Sequence, residues 1–243
     1  MMKISVLTPS YNSGKYLDRA IQSVLNQCYA NFEHIIMDGD SKDGTLNILK
    51  KYDHLKWISE PDKGQSDAMN KAFKKSDGDI IVYLNADDEF APGAFAEIIK
   101  TFSQFPEADM VVGNLIVADQ HKSKTQFPSI TYADLILYWQ DKHPNNPVSY
   151  FYRPRVQITI GDFPLDNHYS MDIWFLLKAY QKFKIIKINA ILGTFHFDGQ
   201  NKTANTNVGQ NLHNVVKDHL KKNDPLRLPY FYFKLFQGKQ SSK

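Results

Sequence analysis

Residues 79–89, read as DIIVYLNADDE, constrain this chain more than any other stretch. Ile80 to Leu84 is a short, wholly apolar run, long enough for a buried parallel strand and too short for a helix. It stops abruptly at Asn85, Ala86, Asp87 and Asp88, which puts two adjacent carboxylates at the strand's C-terminal end. In open α/β sheets that end is where ligands bind. Two carboxylates there repel each other unless a cation lies between them, and hard oxygen donors with few partners suit Mg²⁺ or Mn²⁺. Asp87 and Asp88 also fit the plainer role of capping a helix that begins near Pro92.

The flanking sequence repeats the pattern. Ile4 to Leu7 is a first strand, closed by Thr8-Pro9-Ser10-Tyr11-Asn12, and Leu17, Ala20, Ile21, Val24, Leu25 and Cys28 form a helical stripe after it. Cys28 therefore reads as a core residue. Phe32 to Met37 is a second strand, ending in Asp38-Gly39-Asp40-Ser41, and a helix is expected after Asp43-Gly44. Leu55 to Ser59 is a third strand, followed by a Pro61–Gly64 loop and a helix marked by Ala68, Met69, Ala72 and Phe73. Successive βα units mean a parallel, doubly wound sheet flanked by helices, with its polar loops gathered at one edge. Further strands are expected over 110–117, 148–152 and 185–192, helices after Pro92, over 132–139 and after Asp172, and a polar loop over 120–131.

That edge lacks both the Gly-x-Gly-x-x-Gly turn of a dinucleotide site and the Gly-Lys-Ser/Thr of a phosphate loop. Its acidic bias would repel a bare phosphate, so a diphosphate would have to bring a metal. A net charge of +3 over 243 residues does not imply a nucleic-acid partner. One cysteine, no secretory h-region at the start and no run near the ~20 apolar residues of a membrane span lead to the expectation of a cytoplasmic protein. Asn201-Lys202-Thr203 matches a glycosylation sequon, a triplet that arises readily by chance.

Four segments, in order, resemble a family-2 glycosyltransferase of the GT-A fold: SVLTPSYNSGKYLDRAIQSVLNQCYANFEHIIMDGDSKDGT, SEPDKGQSDAMNKAF, IVYLNADDE and MDIWFLLKA. The resemblance covers nearly all of residues 3–197. It implies an inverting transfer from a nucleoside diphosphate sugar, UDP-linked by preference, to a hydroxyl of a glycan or lipid-linked acceptor in surface polysaccharide or glycolipid assembly. It implies Asp172 as the general base, which is also placed to cap its helix, and a divalent Mn²⁺ or Mg²⁺ on Asp88. Asp87 would serve the ribose or the metal. The donor would meet Pro9, Tyr11, Asn12, Asp38, Asp67, Asn70 and Asn85, with Tyr11 either stacked on the base or filling core. Gly39 departs from the family's pattern, in which a second Asp is common, and leaves open which carboxylate reads the base. Lys63 is open between a phosphate contact and a solvated charge. Residues 1–120 then form the donor half, 121–206 the acceptor half, and 207–243 a C-terminal helix with an aromatic and basic tail.

His196 follows the last strand, where related enzymes place a ligand to the diphosphate or metal; packing between Phe195 and Phe197 is its other role. His143 and His168 carry less signal. The tail from Pro225 to Phe236 interleaves aromatics with cations, which fits peripheral membrane contact at the inner face of the cell membrane, docking on the protein's own core, or a homodimer contact. Two other functions share the fold. A non-catalytic sugar-nucleotide binder would not need Asp172, and a sugar nucleotidyltransferase would carry a Gly-rich, cationic loop where TPSYNSGKY has one Gly and one Lys.

Overall fold

The buried runs of the first strands are divided between the two faces of one sheet. In the computed structural model, which describes residues 1–167, 169–199 and 208–240, all seven residues of β1 (Ile4–Ser10) and all four of β4 (Ile80–Tyr83) are buried. Ile4, Val6, Ile80 and Val82 point to one apolar cluster, with α1 (Leu17–Leu25) and α4 (Ala94–Gln104). Leu7, Ile81 and Tyr83 point to the other, with α3 (Gln65–Lys75), α7 (Met171–Lys182) and α8 (Val208–Asn223). Period-two side chains on a strand covered on both faces produce this division.

The remaining elements are β2 (Phe32–Asp38), α2 (Thr45–Leu49), β3 (Leu55–Ser59), β5 (Glu89–Phe90), β6 (Met110–Ala118), β7 (Ser123–Gln126), α5 (Tyr132–Ile136), β8 (Tyr150–Tyr152), α6 (Pro154–Ile160), β9 (Ile185–His196) and α9 (Leu228–Gln240). The sheet order is β3-β2-β1-β4-β8-β6-β9-β5, with β7 on β6. The first four strands run parallel, and β8 then pairs antiparallel with both β4 and β6. The direction therefore reverses beside β4, the strand that ends in Asp87 and Asp88. Such a switch in sheet order opens a crevice at the strand ends.

Two local expectations change, and one short strand is added. Cys28 is exposed, in a left-handed turn (φ 50°) beyond the end of α1, because the helix stops at Leu25 before the stripe reaches it. The polar stretch after Asp119 contains β7, whose exposed residues 123–125 pair with β6 through their backbones. The short β5 pairs with Gly193 and Thr194 of β9. Gly193 allows that close approach, since a Cβ there would stand 2.5 Å from the Glu89 carbonyl oxygen. The sequon at Asn201 and His168 lie outside the described residues.

Candidate active site

The strand ends and the loops facing them enclose a cavity of 820 Å³, ample for a nucleoside diphosphate sugar. Pro9, Tyr11 and Asn12 form one wall. Tyr11 is 65% exposed, so it does not fill core. Asn12 holds the wall in place: its N–H donates to Ser41 Oγ at 2.7 Å, and its Oδ1 accepts from the Lys42 N–H at 2.9 Å. Its φ of 48° is the left-handed region that Asn tolerates.

Gly39 explains its own departure from the family pattern. A Cβ at this position would lie 2.7 Å from Asp62 Oδ2 and 3.3 Å from the Tyr11 ring. The space beside Tyr11 is taken by Asp62, a carboxylate arriving from the β3–α3 loop. Asp62 Oδ1 accepts from the Gly64 N–H at 2.7 Å, and the residue lines the cavity.

Asp38 is drawn away from that wall. It is buried, with Oδ2 accepting from the Ser41 N–H at 3.0 Å and Ser59 Oγ at 2.6 Å, and Oδ1 accepting from Ser41 Oγ at 2.5 Å. Its oxygens tie the ends of β2 and β3 together and do not line the cavity. Two further expectations are corrected. Asp67 turns to Lys71, 3.2 Å away, and Asn70 is buried against the loop before α7. Helical periodicity explains both, because Gln65 and Ala68 hold the cavity face of α3. Lys63 is exposed and absent from the wall, whereas Lys42 and its partner Asp40 line it.

Asn85 and Asp87 face the cavity; Asp88 lies behind them, fully buried. Asp88 Oδ1 accepts from the His196 N–H at 3.0 Å, and Oδ2 accepts from Asn85 Nδ2 at 2.9 Å and Asn146 Nδ2 at 2.7 Å. Burial first, and the Asp87 charge second, push its carboxyl up to about 7 despite those donors. This is the electrostatic state a divalent cation would relieve. Among the described residues no group of three or more His, Cys, Asp or Glu could hold a metal unaided. The expected ligand Asp88 does not line the cavity and its oxygens already serve three donors, so Asp87, completed by ligand phosphates, is the carboxylate that would hold Mg²⁺ or Mn²⁺. The His196 ring does not reach the large cavity: Nε2 meets Glu89 Oε1 at 2.9 Å beside a separate space of 160 Å³.

Asp172 stands opposite, in the first turn of α7, and lines the same cavity. Tyr150, buried on β8, donates its hydroxyl to Asp172 Oδ1 at 3.2 Å. A helix N-terminus and a phenol donor both favour the charged carboxylate. Burial outweighs them and pushes the carboxyl up to about 6. The loop before α7 is held by a reciprocal pair, Asn70 Nδ2 to the Phe163 carbonyl at 2.9 Å and the Phe163 N–H to Asn70 Oδ1 at 2.8 Å. Phe163 itself is buried against Tyr83 and Phe175.

Asn145 and Asn146 complete the wall between Asp87 and Asp172. In the sequence, His143-Pro144-Asn145-Asn146-Pro147 reads as a turn, and nothing in it marks either Asn as a wall residue. His143 is buried away from the cavity wall, its carbonyl accepting from Gln126 Nε2 at 3.2 Å. Asp62 was equally hidden, since its role depends on the missing side chain at Gly39.

The family model described as glycosyl transferase family 2 matches residues 5–173. The chain is 29% identical over 143 residues to the putative teichuronic acid biosynthesis glycosyltransferase TuaG of Bacillus subtilis, covering 55% of this chain and 56% of TuaG. The chain thus spans little more than half the length of that relative. Among solved structures, it resembles Staphylococcus aureus TarS 1-349 in complex with UDP-GlcNAc, with a TM-score of 0.72, 19% identity, and 90% of this chain and 67% of that one covered. It also resembles the mannosyltransferase PcManGT of Pyrobaculum calidifontis in complex with GDP-Man and Mn²⁺, with a TM-score of 0.63, 15% identity, and 98% and 75% covered.

Proposed function

Because the chain belongs to glycosyl transferase family 2 and is a glycosyltransferase, we propose that it moves a sugar, with inversion, from a UDP-linked donor to a hydroxyl of a glycan or lipid-linked acceptor. The observation that carries this reading is the position of Asp172, on the wall of one cavity with Asp87 and with its carboxyl raised to about 6. A carboxylate of that basicity is ionised at neutral pH yet able to take a proton from an attacking hydroxyl. The acceptor oxygen bonds to the anomeric carbon, the bond from that carbon to the diphosphate oxygen breaks, and the acceptor proton ends on Asp172. A single displacement of this kind inverts the anomeric centre. Tyr150 orients the carboxylate through its hydroxyl. Asp87, with the buried Asp88 behind it, is assigned to a divalent cation that would neutralise the leaving diphosphate when bound. Tyr11 offers a face to the nucleobase, and Asp62 a carboxylate oxygen to a base or ribose donor.

TarS was solved with UDP-GlcNAc and PcManGT with GDP-Man and Mn²⁺; uridine is taken for this chain from the family resemblance, and Asp62 beside Tyr11 offers an acceptor to a base N–H. Calorimetric titration of UDP and GDP, each with and without Mn²⁺, on wild type and Asp87→Asn tests the reading. UDP binding that needs the metal and weakens at least about tenfold in the variant is expected. Metal-independent binding, or a preference for GDP, would remove the corresponding assignment.

A further inference from the structure

The C-terminal helices carry an apolar surface that the transfer reaction does not use. Phe231 of α9 is fully buried, its ring 5.6 Å from those of Trp139 and His213. Leu228 packs on the same core cluster. That anchoring fixes the helix's rotation and forces its other side outward. On that side Tyr230 is 40% exposed, Tyr232 44%, Phe233 57% and Phe236 62%, with Leu226 just ahead of the helix at 91%. Isolated exposed apolar residues need no explanation, but four exposed aromatics on α9 and Leu226 just before it fall within eleven residues.

Its charge setting is uneven. Residues 208–240 hold six Lys or Arg (217, 221, 222, 227, 234 and 239) against two acids, Asp218 and Asp224. This segment therefore carries +4, more than the +3 of the entire chain. Asp224 is already paired with Arg227 at 2.9 Å, and Lys234 lies over the Tyr230 ring, 6.0 Å from its centre. No described helix is long and apolar enough to cross a membrane. A second copy of the same face would bring cations against cations.

We propose that this face of α8 and α9 docks on an anionic lipid surface, with the aromatic rings at headgroup level and the lysines on lipid phosphate. Exposed aromatic rings beside cations are what such an interface binds. α8 packs on α7 and α9, and its first residue, Val208, lies on the wall of the large cavity. This proposal is independent of which donor the cavity takes.

The test is co-sedimentation of the full chain with vesicles of phosphatidylcholine alone and of phosphatidylcholine mixed with phosphatidylglycerol. Phe233→Ser/Phe236→Ser and Lys221→Glu/Lys222→Glu are run beside wild type. Wild type is expected to pellet with the mixed vesicles only, and the aromatic variant to bind about tenfold less at any salt. The lysine variant should lose binding at low salt and differ little from wild type at high salt. Unchanged melting midpoints show that the variants fold. Absence of pelleting, equal binding to neutral vesicles, or variants that bind like wild type would overturn the proposal. So would a dimer in sedimentation equilibrium that the aromatic variant dissociates, because the face would then belong to a second copy.

Discussion

Asp172→Asn separates catalysis from stability at one residue. The substitution keeps the shape of the side chain and an oxygen to accept from Tyr150 at 3.2 Å, but removes the charge and the proton acceptor. Its effect on turnover should be a fall of about 10²–10⁴-fold, the usual share of a positioned general base. The effect on stability has the opposite sign. The folded carboxyl is raised from 3.8 to about 6, so the unfolded chain ionises first as pH rises. Below 3.8 both states are protonated and the group contributes nothing. Between 3.8 and 6 wild type loses stability progressively, and above 6 the loss is constant. The shift corresponds to about 3 kcal/mol, a ceiling because part of the side chain still faces the cavity. Asn has no such penalty. At pH 8 the variant should melt higher than wild type, by up to about 6–12 °C for a chain of this size, and the gap should close toward pH 4. Wild-type kcat should fall tenfold per pH unit below about 6. Differential scanning fluorimetry across pH, beside a transfer assay, measures both. A stability difference that does not change with pH would refute the desolvated carboxylate, and retained turnover would refute the base.

Asp62→Ala should weaken UDP about tenfold in calorimetry with little change in melting, and Gly39→Ala should do the same by displacing that carboxylate, since the new Cβ would crowd it at 2.7 Å. Asn70→Ala removes both hydrogen bonds to the Phe163 backbone and should cost about 2 kcal/mol in denaturant unfolding. It should lower kcat more than it weakens UDP, because the freed loop leads to Asp172. Gly193→Ala meets the Glu89 carbonyl at 2.5 Å and Val148, and should destabilise by about 2–3 kcal/mol in the same assay; a neutral result would mean that β9 shifts freely from β5.

The parallel half of the sheet was legible because Ile4–Leu7 and Ile80–Leu84 are covered on both faces, where burial leaves a plain apolar run. β7 was not, since Ser123, Lys124 and Thr125 pair through backbone and remain exposed. Cys28 fitted a helical stripe that the chain abandons at Leu25, and periodicity alone does not register where a helix ends. At the site, residues whose position follows from a strand end (Pro9, Tyr11, Asn85, Asp87) line the cavity. For others, position depends on tertiary contacts that the sequence does not display. Asp38 looks like a ligand group until Ser41 and Ser59 surround it. Asp62 looks like loop until the absence of a side chain at Gly39 makes room for it.

Asp88 receives hydrogen bonds from residues 85, 146 and 196, three segments far apart in the chain. It is a knot as much as a candidate ligand. A screen that scores loss of activity at position 88 would report a ruined donor site even if the change only let the three strands of the knot drift apart. The neighbouring Asp87, whose side chain faces the cavity, gives the cleaner variant. In directed evolution the same wiring makes position 88 a poor place to begin: a new residue there must satisfy two amides and a backbone N–H at once. Asn146 shares that wiring, since its amide also accepts from the Val148 N–H, whereas the Gly39–Asp62 pair stands outside it.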